Sequence, residues 1–561
     1  MRSLLGSRTL WRLGIVTIAG MVLAVACGGG AQEQAPTPTK APAAVATPTA
    51  AATATPTPVP APRVKRGGII NTGSVGIPHV DISQSSIAAL NQYIEGIYQR
   101  LITYRLKDQS DATLVGQLAE SWEVADGGKT ITLHLRKEAK WPNRPPLNGR
   151  PFTSADVAWN IDYYKAKSIW SFMWKPVTSY ETPDANTIIL HLEKPFAPIF
   201  SFLAYKYNYM LPKEVFEQDG NFKTKGIGTG PFVFDKLEEG IGVFSSRNDN
   251  YWEISELDGK PLPYADGWNA YETKDYATAL ARLMSGQVDI VYTGPKAEDR
   301  PTVVNKLPGL QVAKTLPQRS HPRGILINMT KKPWDDVRMR RAVSYAIDKK
   351  DYIQVEYSGE GEWLGPLPAG QTEWAWSEAI IQQKYPYDPE KARALIKEAG
   401  YEKLKVVISH YTTPSLGLGI NAAQYMAESL KQVGLDVTVR TVPDVAAGDK
   451  MVRDADFELA HNYWTRDDEP HAIFTAMLNA KWITPRAGLK ELVEQEGGEM
   501  DVTKRKQLVN QIQEVIWEDM YWAPNATASG FTVRPGWAKS PEPLGQNLLP
   551  RPFLERTWLD K

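Results

Sequence analysis

Thiols are all but missing from this chain. Cys27 is the one cysteine in 561 residues, so no disulfide can close within the chain and no set of cysteine ligands can hold a metal. An excess of either charge is missing too, because 64 basic side chains balance 64 acidic ones. With no positive surplus to neutralise phosphates, nucleic acid is not expected as a partner. After residue 26 no apolar run is long enough to span a bilayer. The chain also lacks a G-x-S-x-G elbow, a cysteine nucleophile in the folded part, a dinucleotide fingerprint, an HExxH pair and an EF-hand loop. Those absences argue against an enzyme, and no cofactor is expected.

What is present begins with a targeting segment. Arg2, Arg8 and Arg12 precede an apolar run from Leu13 to Ala26, which is short for a transmembrane helix and reads as a signal peptide over 1–26. Cys27 follows a small residue at the end of that run, and this arrangement resembles a bacterial lipobox, which implies cleavage before Cys27 and its acylation. From Ala31 to about Arg63 the chain is Pro, Thr and Ala with almost no charge. Such a composition cannot form a core and predicts a semi-extended tether over 27–63. At about 3.1 Å per residue, thirty such residues reach roughly 100 Å.

The length of the remainder suits two to four domains or lobes, and 42% hydrophobic residues suffice for large cores. The 18 tryptophans are expected to pack more often than to bind. Residues 119–135 predict a β-hairpin: Trp122 and Val124 alternate with polar residues, Asp126-Gly127-Gly128 can turn, and Ile131, Leu133 and Leu135 share one face. Asn91 to Arg105, with apolar residues at helical spacing, predicts a helix. Thr153 and Asp156 fit a capping box opening another. A third helix is expected to start at Asp388-Pro389 and stop at Gly400.

The last third alternates strand and helix. A strand over 404–408, a helix from Ile420 to Val433 ended by Gly434, a strand over 435–439, a short helix near 449–453 and a strand from Phe457 to Trp464 give β-α-β-α-β. That order requires parallel strands and right-handed crossovers, and ligands of such sheets sit beyond the carboxyl ends of strands. At that place stands Thr465-Arg466-Asp467-Asp468-Glu469-Pro470-His471. Three carboxylates and two histidines, His461 and His471, leave several readings open there: a metal site, a hydrolase using Asp467 and Asp468, or a solvated acidic loop. The glycine-rich 228–232 segment lacks the Lys-Ser/Thr of a phosphate loop and is followed by strand-like residues, so a phosphate site is not expected.

The hairpin string AESWEVADGGKTITLHLRKEAKW resembles the signature of the family 5 extracytoplasmic solute-binding proteins of ABC importers. Further landmarks follow in order: Pro151-Phe152-Thr153-Ser154-Ala155-Asp156-Val157, Gly228-Thr229-Gly230-Pro231-Phe232, Arg247 to Trp252, the 279–290 helix-Gly-strand step and Lys332 to Arg340. The resemblance implies a type II periplasmic-binding-protein fold, two α/β lobes with a double-crossing hinge and an inserted domain. It implies one lobe from 64–103, 187–305 and 525–561, an inserted domain over 104–186, and a second lobe over 306–524. It implies capture of a peptide-like solute in the cleft and delivery to an ABC permease and ATPase. A nickel chelate or an oligosaccharide is the alternative. The protein is then extracytoplasmic, lipid-anchored to the membrane and a monomer.

In the peptide-binding branch of that family, a Trp-led strand end carries an Asp that pairs with the peptide α-amino group. Trp464 and Asp467 match it here, so Asp467 is the implied ligand contact, with Trp464, Thr465, Tyr463, His461 and Tyr292 as further ligand-binding candidates. Tyr463 replaces the family Gly, and His461 stands where some oligopeptide receptors carry Arg, which implies a reshaped cleft.

Overall fold

The computed structural model describes residues 63–561 except 75–78, 86–89, 91–92, 107–111, 274, 292–293, 297, 316–322, 412–419, 464–468, 543 and 545–553. Ala61–Lys561 forms one compact unit. The expected signal peptide, Cys27 and nearly all of the tether lie outside the described residues.

Two large sheets organise the chain. The first has seven strands, in the order Gln311–Thr315, Gly530–Arg534, Ile290–Val291, Ile69–Ser74, Gly267–Glu272, Gly242–Arg247 and Phe232–Glu238. The second has five, in the order Asp436–Val442, Lys405–Tyr411, Leu459–Tyr463, Arg323–Ile327 and Trp522–Pro524. The chain crosses between the sheets twice, between Thr315 and Arg323 and between Pro524 and Gly530. On the second crossing Ala526–Ala528 pairs with Gly361–Trp363. Side chains brace it: Arg300 pairs with Glu360 and lies over the Phe531 ring, and Lys314 meets Glu362 at 2.9 Å.

The β-α-β-α-β unit is present. Lys405–Tyr411 runs parallel to both Asp436–Val442 and Leu459–Tyr463. Helix Ile420–Gln432 buries Ala423, Met426 and Leu430 against the sheet, and Gly434, at φ 102°, turns the chain into the next strand. The short helix spans Val445–Arg453, longer than its apolar residues suggest, because Asp444 caps it through the Ala447 N–H at 2.8 Å. Both faces of its central strands are covered. Ile325, Ile327 and Leu459 enter one core, and Leu326 and Ala460 enter another.

The signature hairpin pairs Ala119–Ala125 with Thr130–Leu135, and Asp126, Gly127 and Gly128 all have positive φ. Ile131, Leu133 and Leu135 are buried. Val124, which alternates with polar residues and pairs with Ile131, is 44% exposed on the edge strand of a four-stranded sheet. That sheet continues through Thr187–Leu192 to Val177–Asp184. Thr187–Leu192, expected within a lobe, therefore belongs with the hairpin: Ile188 and Leu190 are its buried alternate residues and pair beside Leu133 and Ile131. Likewise Gln311–Thr315, expected beyond the 305/306 boundary, pairs with Gly530–Arg534 in the seven-stranded sheet.

The helix expected over 91–105 does not extend past its first turns. Ile102–Leu106 is a strand paired with Ala112–Gly116. The reason lies in the glycine-rich segment. The Gly230 N–H donates to the Ile97 carbonyl at 2.8 Å and the Phe232 N–H to the Gly96 carbonyl at 2.9 Å, which redirects the chain there. A Cβ on Gly228 would lie 2.2 Å from the Ile97 oxygen. These glycines serve backbone approach, where no phosphate is needed to explain them. Elsewhere Asp156 accepts from the Thr153 N–H at 2.8 Å, and Asp388 accepts from the Lys391 N–H at 2.9 Å while Gly400 closes that helix at φ 79°.

Candidate functional site

The strand Leu459–Tyr463 lies in the centre of the five-stranded sheet and runs parallel to Lys405–Tyr411. Two residues near the carboxyl ends of these strands, His410 and His461, are register partners. Their rings stack with centroids 5.2 Å apart and planes 12° apart. Both are fully buried, His410 at 0% and His461 at 1% exposure. Burial, then the nearby His410 and Arg323, pushes His461 well below its ordinary pKa, and burial pushes His410 down. Both rings are therefore neutral at physiological pH. The hydroxyl of Tyr352, on helix Lys349–Tyr357, stands 3.4 Å from His461 Nε2. His461 Nδ1 has no hydrogen-bond partner among the described residues.

Arg323 opens its strand opposite Tyr463, two residues from the Ile325–His461 pair. It is buried. Across the sheet, the Asn525 N–H donates to the Arg323 carbonyl at 3.3 Å, and the Asn525 side chain, also buried, finds no partner among the described residues. Buried Asn525 and Arg323 thus lie side by side at the sheet end where the chain passes to the other sheet.

Of the sequence candidates, His461 is the one whose side chain is described. Tyr463 ends the strand, but only its backbone is described. Trp464, Thr465, Asp467 and Tyr292 lie outside the described residues, as does Asp468. Four of these follow the carboxyl end of a central strand in the sequence, and described structure resumes at Glu469.

Among the described residues, Glu469 and His471 are engaged in a structural ion-pair series. Glu469 caps helix Pro470–Leu478 by accepting the Ala472 N–H at 3.1 Å. Its other oxygen pairs with Arg505. Arg505 also holds Glu496, at 2.7 Å, and lies over the Trp374 ring at 4.7 Å. All three charged groups are nearly fully buried. Burial pushes the Glu469 carboxyl up against the pull of Arg505; burial opposes the charge on Arg505, yet Glu469 and Glu496 hold its pKa above the ordinary value. His471 Nδ1 meets Glu496 Oε2 at 2.9 Å. Among the described residues no group of three His, Cys, Asp or Glu is placed to hold a metal.

His410 carries no motif in the sequence and was not among the candidates. It is the last but one residue of Lys405–Tyr411 and meets His461, the middle residue of Leu459–Tyr463, through the register of the two parallel strands. Arg323 and Asn525 carried no sequence signal, because their partners come from segments far apart in the chain.

Three comparisons bear on this arrangement. The sequence model described as bacterial extracellular solute-binding proteins, family 5 middle, matches residues 113–484. The dipeptide-binding protein of Escherichia coli strain K12 is 27% identical over 462 residues, covering 75% of this chain and 81% of that protein. Heme-binding protein A of Haemophilus influenzae is 26% identical over 485 residues, covering 79% and 83%. Among solved structures, the periplasmic binding protein DppA from Helicobacter pylori in complex with peptide STSA aligns at TM-score 0.69 and 23% identity, over 89% of this chain and 99% of that one. At that identity the likeness shows the fold, a two-lobe α/β periplasmic-binding-protein fold of type II-like form.

Proposed function

Since the chain belongs to the family 5 bacterial extracellular solute-binding proteins, we propose that it captures a peptide between its lobes and delivers it to the permease and ATPase of an ABC importer. The observation that carries this reading is the strand Leu459–Tyr463, central in its sheet and parallel to Lys405–Tyr411, whose carboxyl end adjoins buried Arg323 near the crossing and immediately precedes Trp464 to Asp468 in the sequence. Ligands of open α/β sheets sit there. Asp467 pairs with the peptide α-amino group, Trp464, Thr465 and Tyr463 flank the peptide, and Tyr292 reaches it from the other lobe. His461 backs the site as a neutral imidazole.

The lobes follow the sheets. One lobe carries the seven-stranded sheet, the other the five-stranded sheet, and the inserted domain carries the four-stranded sheet. The receptor acts without catalysis, as a monomer held to the membrane by acylated Cys27. The dipeptide-binding and heme-binding relatives differ in their named solutes, so membership alone does not select the peptide. The charge of Asp467 favours it, because a carboxylate sealed in a closed cleft needs a cationic partner.

Native mass spectrometry of the purified protein identifies the co-purified solute, and titration then tests the contact. Asp467→Ala is expected to lose about 30-fold to several thousand-fold in affinity for a co-purified peptide, the range for truncating one member of a buried charge pair. N-acetylation of that peptide weakens wild type strongly and Asp467→Ala little. An uncharged co-purified solute, or wild-type affinity retained by Asp467→Ala, refutes the reading.

A further inference from the structure

Besides the two chain crossings, the molecule has a third junction, made without any covalent link. The segment Pro195–Ala197 follows the four-stranded sheet directly, and it meets the end of helix Leu489–Gly498, whose residues Leu489 and Val493 pack into a core of the five-stranded sheet. The Ala197 N–H donates to the Gly497 carbonyl at 2.8 Å. Phe196 sets its ring against the His471 imidazole, edge to face, with centroids 5.4 Å apart. The hairpin tip joins in: a Cβ on Gly128 would strike the Met500 side chain at 2.7 Å and Pro195 at 3.2 Å, so the Met500 side chain lies against the bare hairpin backbone.

Each side of the junction is built, not loose. Phe196 is backed by Phe202 at 5.6 Å and Phe202 by Phe172 at 5.6 Å, an aromatic series that holds the ring forward. Opposite, Gly497 leaves no room for a Cβ, which would fall 2.4 Å from His471 Cε1, so the imidazole is seated on bare backbone. His471 is tied to Glu496, Glu496 to Arg505, and Arg505 to Glu469, the cap of helix Pro470–Leu478. A groove of about 650 Å³ runs along this junction, walled by Phe196 on one side and by His471, Leu478 and Val493 on the other.

We infer that Pro195–Ala197 and Gly497 form a latch by which the inserted domain holds the receptor closed. The inference rests on the receptor reading above, in which the lobes hinge at the crossings, so that opening breaks the Ala197–Gly497 hydrogen bond and parts Phe196 from His471. The latch therefore adds to the stability of the closed state in the absence of solute. The charged series behind His471 fixes the receiving surface to the cap of helix Pro470–Leu478. The inference does not depend on which solute is bound, and its test uses none.

Two measurements on the full ligand-free chain decide it. By hydrogen exchange, the Ala197 amide is expected to be protected, and Phe196→Ala and Gly497→Ala each to speed its exchange about tenfold, the scale of one lost net hydrogen bond. Amides of Ile69–Ser74 serve as the unchanged control, and a cooperative melting transition shows that each variant is folded. In the second, spin labels replace the exposed residues Lys175 and Gln495 in a Cys27→Ser background. The pair should give one short distance, and Phe196→Ala should add a longer population. Should Gly497→Ala fail to fold, Phe196→Ala decides alone. Exchange of Ala197 in wild type at the rate of an unstructured amide, or a label distance unchanged by Phe196→Ala, overturns the latch.

Discussion

Arg505→Ala is expected to be among the most destabilising single changes in the five-stranded half of the molecule. The guanidinium is 5% exposed and holds two carboxylates, Glu469 at 4% and Glu496 at 0%, with no water-facing alternative for any of them. Removing it leaves two like charges facing each other in a dry interior. Breaking a buried pair in this way costs about 3–5 kcal/mol, because the orphaned charge keeps its desolvation penalty and loses its partner. For a compact unit of about 500 residues each kcal/mol is worth roughly 1 °C, from an unfolding entropy of about 2.1 cal/mol/K per residue, so the melting transition should fall by about 3–5 °C.

The deficit should also depend on pH. Without Arg505 the facing carboxylates bind protons more readily folded than unfolded. A raised native pKa contributes stability that is present below the unfolded value, near 4.5, and disappears as pH rises through the native value. Relative to wild type, the variant is therefore worse at pH 8 than at pH 5. The triple variant Glu469→Gln/Glu496→Gln/Arg505→Met removes every charge and should recover most of the loss. Chemical denaturation at both pH values, followed by tryptophan fluorescence, measures this. A deficit below about 1 kcal/mol, or one equal at pH 5 and pH 8, refutes the argument.

The other predictions concern separate regions. Because His410 and His461 are held neutral, the unfolded chain binds more protons than the native one below about pH 6.5, and stability should fall there by up to about 1.4 kcal/mol per pH unit for each ring; His461→Phe flattens this limb, and an unchanged limb counts against burial as the cause. Lys349 is fully enclosed, donates to the Tyr385 carbonyl at 3.3 Å and is pushed by burial down to about 8. Lys349→Met should be neutral or stabilising at pH 7, with the gain shrinking between pH 8 and 10.5, and a clear loss of stability at pH 7 would show that the amine is a net stabiliser. Gly228→Ala should cost several kcal/mol, since its Cβ would collide with the Ile97 carbonyl at 2.2 Å, and a melting temperature within 2 °C of wild type would contradict that packing.

The parts of this fold legible from sequence are those whose determinants are local. Asp388-Pro389 with Gly400 marked both ends of a helix because caps and αL positions are chosen within a few residues. Leu435 to Val439 alternated because one face of that strand is wet. The misread segments are those decided by distant partners. Leu101 and Ile102 sit at helical spacing from Ile94 and Ile97, yet Gly230 and Phe232, far along the chain, take the carbonyls that would have continued the helix. Thr187–Leu192 reads as a strand in either sheet; only its pairing with Thr130–Leu135 assigns it. The candidate site divides the same way. His461 stood out by its place beside a family motif, whereas the stacking of His410 on it depends on the register of two parallel strands, which no spacing reveals.

The seven-stranded sheet has a consequence for how the chain is made. Its strand Gly530–Arg534 lies between Gln311–Thr315 and Ile290–Val291 and is the bridge by which Gln311–Thr315 joins the sheet. A chain emerging from the ribosome, or through an export pore, amino end first, presents Ile69–Ser74 early and must wait for residue 530 to fill that slot. The five-stranded sheet waits in the same way for Trp522–Pro524 on its outer edge. Neither half can be finished before the last tenth of the polypeptide arrives, so the unfinished chain keeps open strand edges throughout its passage. Late closure keeps it in a form that can still be threaded, and it makes the final stretch of the sequence the step that commits both halves to the folded state.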